Sequence, residues 1–333
     1  MTLESTVDDE LGRAAEAVAR LDRDATVLLV CHVQPDGDAL GSMLGFGLGL
    51  RQLGFTNVVA TFPEKFEVPA VFDFLPGQEL LVAPADTPEK PDLGVSFDAA
   101  SVSRLGELAP ALVAAPTWIV LDHHASNPGF GGIRLVDPSA AATSVVAARL
   151  LDRLGVVADK AIATNLYVAL ATDTGSFKFD LTTPEVHALA ARLIAAGAEP
   201  AEVARRVFDS RPFSAIRLLT TVMARAELDP AAIGGRGLVT TYATLEDLAT
   251  FALAPQVLES FMDVLRTAEE ADVACLVKPV TPGRWAVSLR SRGETDVSAV
   301  AVALGGGGHR LAAGFTGYGE VSEVLAAVRA KLQ

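Results

Sequence analysis

The stretch Ala25-Thr26-Val27-Leu28-Leu29-Val30-Cys31-His32-Val33-Gln34-Pro35-Asp36-Gly37-Asp38-Ala39-Leu40-Gly41-Ser42 decides how this chain is read. Its first seven residues form an unbroken apolar run, as expected of a strand buried on both faces of a parallel sheet. A short loop carrying His32, Asp36 and Asp38 follows. A helix is then expected from Ala39 to Leu53, closed by Gly54 as a left-handed cap. The arrangement recurs downstream. The apolar run Leu93–Phe97 ends at Asp98, and Trp118–Leu121 ends at Asp122-His123-His124. Ligands of parallel α/β sheets bind beyond the carboxyl ends of the strands. His32, Asp98 and Asp122 are therefore expected to converge on one sheet edge.

Strands alternate with helices through the first part of the chain. An amphipathic helix is expected over 8–21, strands over 26–31, 58–61, 93–97 and 118–121, and short helices near 68–74 and 102–108. Helices follow over 142–154, 160–171, 184–196, 200–208 and 212–228. The breaker-rich run Asp229-Pro230-Ala231-Ala232-Ile233-Gly234-Gly235-Arg236-Gly237 marks a boundary. Beyond it strands are expected over 238–243, 273–279, 285–290 and 312–316, with helices over 245–248, 255–267, 297–304 and at the C-terminus. The fold class is α/β: an N-terminal domain with a mainly parallel sheet flanked by helices, and a smaller α+β C-terminal domain. The expected limits are 1–196 for the first domain, 197–228 for connecting helices and 229–333 for the second.

Composition sets outer bounds. A chain of 333 residues, half of them apolar, suits two domains with separate cores. A net charge of −14 disfavours long duplex nucleic acid, whose binding rests on phosphate neutralisation by Lys and Arg. A small phosphorylated substrate fits better, because cations held by clustered Asp reverse the local sign. Cys31 and Cys275 both sit in apolar runs and read as buried thiols. No apolar run is long enough to span a bilayer, and the first ten residues lack a signal core. The expected setting is cytoplasmic, with no membrane partner.

Each chemical candidate has a bland alternative. Asp38 would serve as a helix N-cap. Asp98 would serve as a cap after a strand, with Arg104 placed to steady it or a phosphate. Asp173, in Ala171-Thr172-Asp173-Thr174-Gly175-Ser176, falls at a helix C-terminus, where the dipole repels a carboxylate. A metal would resolve that repulsion; a surface loop is the alternative. Asp122-His123-His124 is harder to dismiss, because the chain has only five His. His187 has no neighbouring signal and reads as structural or surface. In the C-terminal part, Gly305-Gly306-Gly307-Gly308-His309-Arg310 offers exposed amides for a phosphate, or is a flexible linker. Arg290, Ser291 and Arg292 end a strand and suit phosphate contact, with Arg266 a further candidate. His, Asp and His-Asp clusters of this kind can hold two divalent cations, an arrangement suited to phosphoester hydrolysis.

Together these motifs resemble the DHH phosphoesterase superfamily, whose name is the triplet found here at 122–124. The resemblance covers nearly the whole chain, and the 305–309 loop is similar to the signature of the DHH-associated C-terminal domain. Within the superfamily the size and glycine loop are most similar to the nanoRNase/pAp phosphatase group. The resemblance implies a cleft between the domains and two bound cations, expected to be Mn2+, with Mg2+ the substitute. His32 and Asp36 would hold one ion, Asp38, His123 and Asp173 the other, and Asp98 would bridge them. His124 would contact the scissile phosphate or protonate the leaving group, and Asp122 would orient a neighbouring His. Gly306, Gly307, Gly308, His309, Arg290 and Arg292 would hold the far end of the substrate. The expected substrates are short single-stranded RNA and 3′-phosphoadenosine 5′-phosphate (pAp), and a homodimer is suggested. A cyclic di-AMP or pApA phosphodiesterase is the enzymatic alternative. A non-catalytic nucleotide sensor would lack a ligand, and none is lacking.

Overall fold

The structure is a computed structural model that describes residues 3–63 and 65–332. Its contacts divide the chain after Ser210 into two units. The segment 197–228, expected to connect the domains, falls on both sides of that division.

The first unit is built on a five-stranded parallel sheet ordered β2-β1-β3-β4-β5. The strands are β1 (Thr26–Cys31), β2 (Asn57–Thr61), β3 (Leu93–Phe97), β4 (Thr117–Asp122) and β5 (Ile133–Val136). Alternate residues of β1 enter different cores, which explains why the run is apolar throughout. Val27, Leu29 and Cys31 join a core with helices α1 (Leu3–Ala19), α2 (Gly37–Gln52), α4 (Thr143–Arg153), α5 (Lys160–Asp173) and α6 (Pro184–Ala195). Leu28 and Val30 join a second cluster with Leu105, Leu108 and Leu112, the last on α3 (Ala109–Ala114). Cys31 pairs with Phe97, and Phe97 with Leu121. The strand ends are thus in step, and His32, Asp98 and Asp122 emerge together.

Differences from the expected elements have local causes. Strand β5 was not foreseen: it has four residues, follows a glycine-rich turn, and lies at the sheet edge with Arg134 exposed. The short helices expected near 68–74 and 102–108 are 3₁₀ turns at Ala70–Phe72 and Val102–Leu108. The latter is interrupted by Gly106 at φ 50°. Asp38 is not the cap of α2. Asp36 caps it, with an extended backbone and a side chain accepting from Ala39 N at 3.0 Å, while Asp38 lies in the first turn.

Helix α2 carries glycines at 37, 41, 45 and 49, one per turn on a single stripe. A Cβ on Gly41 would lie 2.4 Å from the Asn165 carbonyl, and one on Gly37 would lie 2.6 Å from Thr172 Oγ1. The stripe lets α2 and α5 approach closely. Asp38 opens the first helix and Asp173 ends the second, so this packing brings the two carboxylates together.

The second unit is a six-stranded sheet ordered β10-β11-β9-β8-β7-β6, antiparallel except for β7 with β8. Its strands are β6 (Glu227–Asp229), β7 (Leu238–Tyr242), β8 (Val273–Thr281), β9 (Arg284–Ser291), β10 (Gly307–His309) and β11 (Ala312–Tyr318). One face packs Val277, Val287, Leu289 and Phe315 on the helices Val297–Ala303 and Val321–Lys331. The other packs Val239 and Leu276 on Phe213–Met223 and Phe261–Leu265. The single helix expected over 255–267 is a 3₁₀ turn, Pro255–Ser260, followed by that short α-helix. The breaker run contains the end of β6 and a left-handed turn at Ile233 and Gly234. Both cysteines are buried and free. Among the described residues no single helix is long and apolar enough to cross a membrane.

Candidate active site

The loop after β1 begins with His32, which is buried, and turns at Gln34 through a left-handed backbone (φ 53°). That turn directs Asp36 and Asp38 toward the edge where β3 and β4 end. Asp98, the residue after β3, is also left-handed (φ 55°), and its N–H donates to Leu121 O at 2.9 Å. A non-glycine residue in this region is strained and persists only where its surroundings fix it.

Asp98 lies at the centre of the cluster. Its Oδ2 is 3.3 Å from His32 Nε2, and its Oδ1 is 3.6 Å from His123 Nε2. His32 Nε2 is also 3.9 Å from Asp36 Oδ2, and His123 Nε2 is 3.2 Å from Asp173 Oδ2. Two sets of potential ligands result, His32–Asp36–Asp98 and Asp38–His123–Asp173, and a third, Asp98–His123–His124, overlaps both; the atoms within each set lie within 4.8 Å of one another. Neighbouring corners of an octahedron with ~2.1 Å bonds are about 3 Å apart, so the spacing suits hard divalent ions. All six residues expected as metal ligands are brought together here.

The electrostatics agree. Burial and the charge of Asp98 push the carboxyls of Asp38 and Asp173 well above the usual range. Burial acts on Asp98 too, but His32, His123 and His124 outweigh it and hold Asp98 well below that range. Buried carboxylates that repel one another and share a centre with imidazoles form a donor set that cations stabilise.

Other side chains orient the cluster. Asp122 is fully buried and lies in neither set. Its Oδ1 accepts from the N–H of His123 at 2.9 Å and from His124 Nδ1 at 2.7 Å, and its Oδ2 accepts from Asn127 Nδ2 at 2.6 Å. Burial lowers the His124 pKa, but the Asp122 bond and the Asp98 charge prevail and raise it to about 9. His123 Nδ1 lies 3.2 Å from Ala140 O, and His32 Nδ1 lies 2.8 Å from Val33 O. The Ala140 carbonyl orients His123 with its Nε2 toward the cluster, and the Nε2 of His32 likewise faces Asp98. Asp38 accepts from Ser42 Oγ at 2.9 Å, Thr143 N at 2.6 Å and Ser144 N at 3.1 Å. Asn127, Thr143 and Ser144 had no role in the sequence reading. Thr143-Ser144 resembles an ordinary helix opening, and its partner is 105 residues away. Arg104 does not steady Asp98; its Nη2 lies 2.8 Å from His32 Nδ1. His187 stacks on Phe177, with ring centroids 5.5 Å apart, a packing role.

Residues 26–171 match the family model described as the DHH family N-terminal domain, and residues 240–333 match the DHHA1 domain. The bifunctional oligoribonuclease and PAP phosphatase NrnA of Thermus thermophilus is 36% identical over 93% of this chain and 91% of its own length. The chain belongs to the DHH family of phosphoesterases. The NrnA protein of Bacillus subtilis, which carries the same description, is 25% identical over 90% of this chain and 93% of its own. An exopolyphosphatase-related protein from Bacteroides fragilis shares the DHH fold, with a TM-score of 0.88 at 23% identity, over 98% of this chain and 96% of its own.

Within the DHHA1 unit the structure separates the remaining candidates. The glycine run is not a flexible linker. Gly307–His309 is the edge strand β10, and a Cβ on Gly306 or Gly308 would collide with the backbone of β11. His309 pairs with Ala312, and Ala312 with Arg290. These three residues therefore form a row on one sheet face, with His309 and Arg290 about 10 Å apart. Ser288, Gly314 and Gly307 form the next row, a floor of small residues. Arg290 is largely buried, and its Nη1 donates to Leu289 O at 3.0 Å; burial lowers its pKa. The other candidates do not join this row. Ser291 Oγ lies 3.4 Å from the Asp272 carboxylate, Arg292 Nη1 donates to Ala268 O at 2.9 Å, and Arg266 Nε lies 3.4 Å from Asp263.

Proposed function

We propose that this chain is a divalent-cation-dependent phosphoesterase that hydrolyses short oligoribonucleotides and pAp. The observation that carries the reading is one buried carboxylate, Asp98, lying 3.3 Å from His32 of one ligand set and 3.6 Å from His123 of the other. The activities named for the Thermus and Bacillus relatives supply the substrate class.

His32 and Asp36 would hold one cation and Asp38, His123 and Asp173 the other, with Asp98 between them. Mixed carboxylate and imidazole donors favour Mn2+, with Mg2+ as the alternative. Bound in pairs, such ions lower the pKa of water and offset phosphate charge. The protein supplies the rest. His124, held by Asp122 through Nδ1, would contact the scissile phosphate or give a proton to the departing oxygen. Asp122 keeps that ring in orientation. Within the second unit, the row of Arg290 and His309, beside the amides of the glycine strand, would bind a phosphate of such a substrate.

The test is release of mononucleotide and phosphate from pAp, a five-residue RNA, pApA and cyclic di-AMP, compared with Mn2+ and with chelator. Cation-dependent release from pAp and the short RNA is expected. Activity confined to pApA and cyclic di-AMP would make the chain a cyclic-dinucleotide phosphodiesterase, and no turnover would leave a nucleotide sensor.

A further inference from the structure

Thr143 opens α4, and one residue there meets two carboxylates. Its N–H donates to Asp38 Oδ2 at 2.6 Å, and its Oγ1 lies 3.0 Å from Asp98 Oδ1. The residue is completely buried, as is the neighbouring Ser144. The Thr143 hydroxyl donates the bond to Asp98. Ala142, at the N-cap position of α4, has no side chain to satisfy the first-turn N–H groups. Asp38 of α2 satisfies them instead, through Thr143 and Ser144.

We propose that Thr143 is the positioning residue that sets Asp98 across the two ligand sets. The backbone of Asp98 is already fixed by its left-handed conformation and its bond to Leu121 O. Rotation of the carboxylate about its Cβ–Cγ bond remains open. In the observed rotation Oδ2 faces His32 and Oδ1 faces His123. The Thr143 hydroxyl binds Oδ1 and holds that rotation, while its N–H holds Asp38 at a fixed distance from the same point. Losing the hydroxyl would let the carboxylate turn toward one set and weaken the other. The inference deepens the two-cation reading and rests on it.

Thr143→Val keeps the shape and the N–H while removing the donor, and Thr143→Ser keeps the donor. Mn2+ binding to each protein is followed by calorimetry and by electron paramagnetic resonance, which detects spin coupling between neighbouring ions. The wild type is expected to bind a coupled pair. Thr143→Val is expected to bind one ion nearly normally and the second about 10–100-fold more weakly, with the coupling lost. Thr143→Ser is expected to bind as the wild type does. Should the valine variant fail to fold, Thr143→Ala serves the same comparison. Wild-type affinity and coupling in the variant without the hydroxyl would overturn the inference. A wild type that binds no coupled pair would instead remove the two-cation reading, and that outcome is seen before any variant is made.

Discussion

Four carboxylates and three imidazoles share one cluster, mostly buried, so the protonation of single residues shapes stability when no cation is bound. The pKa of His124 rises from 6.5 to about 9 in the folded chain. The stabilisation is complete below pH 6.5 and is lost as the pH rises through 9. Asp38 and Asp173, also raised, act in the same direction. Asp98, lowered, acts oppositely, and its window lies in acid. Chelated protein should therefore melt at a lower temperature at pH 9 than at pH 6.5, and saturating Mn2+ should flatten that dependence. Equal melting temperatures without cations would contradict the assignment. Asp122 is a second case. It touches His124 but lies in neither ligand set, so Asp122→Ala should lower turnover by about 10–100-fold while Mn2+ affinity changes little. Comparable losses in both would place Asp122 among the ligands. Arg104 is a third. A guanidinium can only donate, so it competes with the Val33 carbonyl for the state of His32 Nδ1. Arg104→Ala should leave Mn2+ affinity intact and raise KM, which steady-state kinetics at fixed Mn2+ would show.

Elements carry these residues into register, and here the sequence is legible only in part. Strands β1, β3 and β4 could be read because a buried parallel strand is a continuous apolar run, and each ends at an acid or a His. The convergence of His32, Asp98 and Asp122 follows from their places just beyond the carboxyl ends of parallel strands. Asp36-Gly37-Asp38 offers two carboxylates as caps for α2, and only backbone geometry selects Asp36. Strand β10 was hidden because glycine carries no periodic signal. The bonds from Thr143 and Ser144 to Asp38 were illegible for another reason: a hydrogen bond across 105 residues leaves no local signature. The glycine stripe of α2 was readable in spacing, but its purpose depends on α5. Gly41→Ala would put a methyl group 2.4 Å from the Asn165 carbonyl. It should destabilise the protein by about 1–3 kcal/mol in urea denaturation and weaken Mn2+ binding, since Asp38 and Asp173 would move apart. An unchanged midpoint would mean that the two helices are not held by this contact.

At the scale of the whole molecule, each unit has its own sheet and cores, and the proposed labour divides between them. Under the proposed function the first unit would hold the ions, and Arg290 of the second would bind a substrate phosphate. Arg290→Ala should accordingly raise KM for pAp more than it lowers kcat, whereas an equal loss in kcat would tie Arg290 to the chemistry. The central claim is narrower and rests on Asp98. The most direct measurement is Mn2+-dependent phosphate release from pAp by the wild type and by Asp98→Ala, with circular dichroism to confirm that both are folded. Turnover that requires the cation in the wild type and falls at least about 1,000-fold in the variant is the result this account predicts. Near-normal turnover by a folded Asp98→Ala protein, or wild-type turnover that persists in chelator, would contradict it.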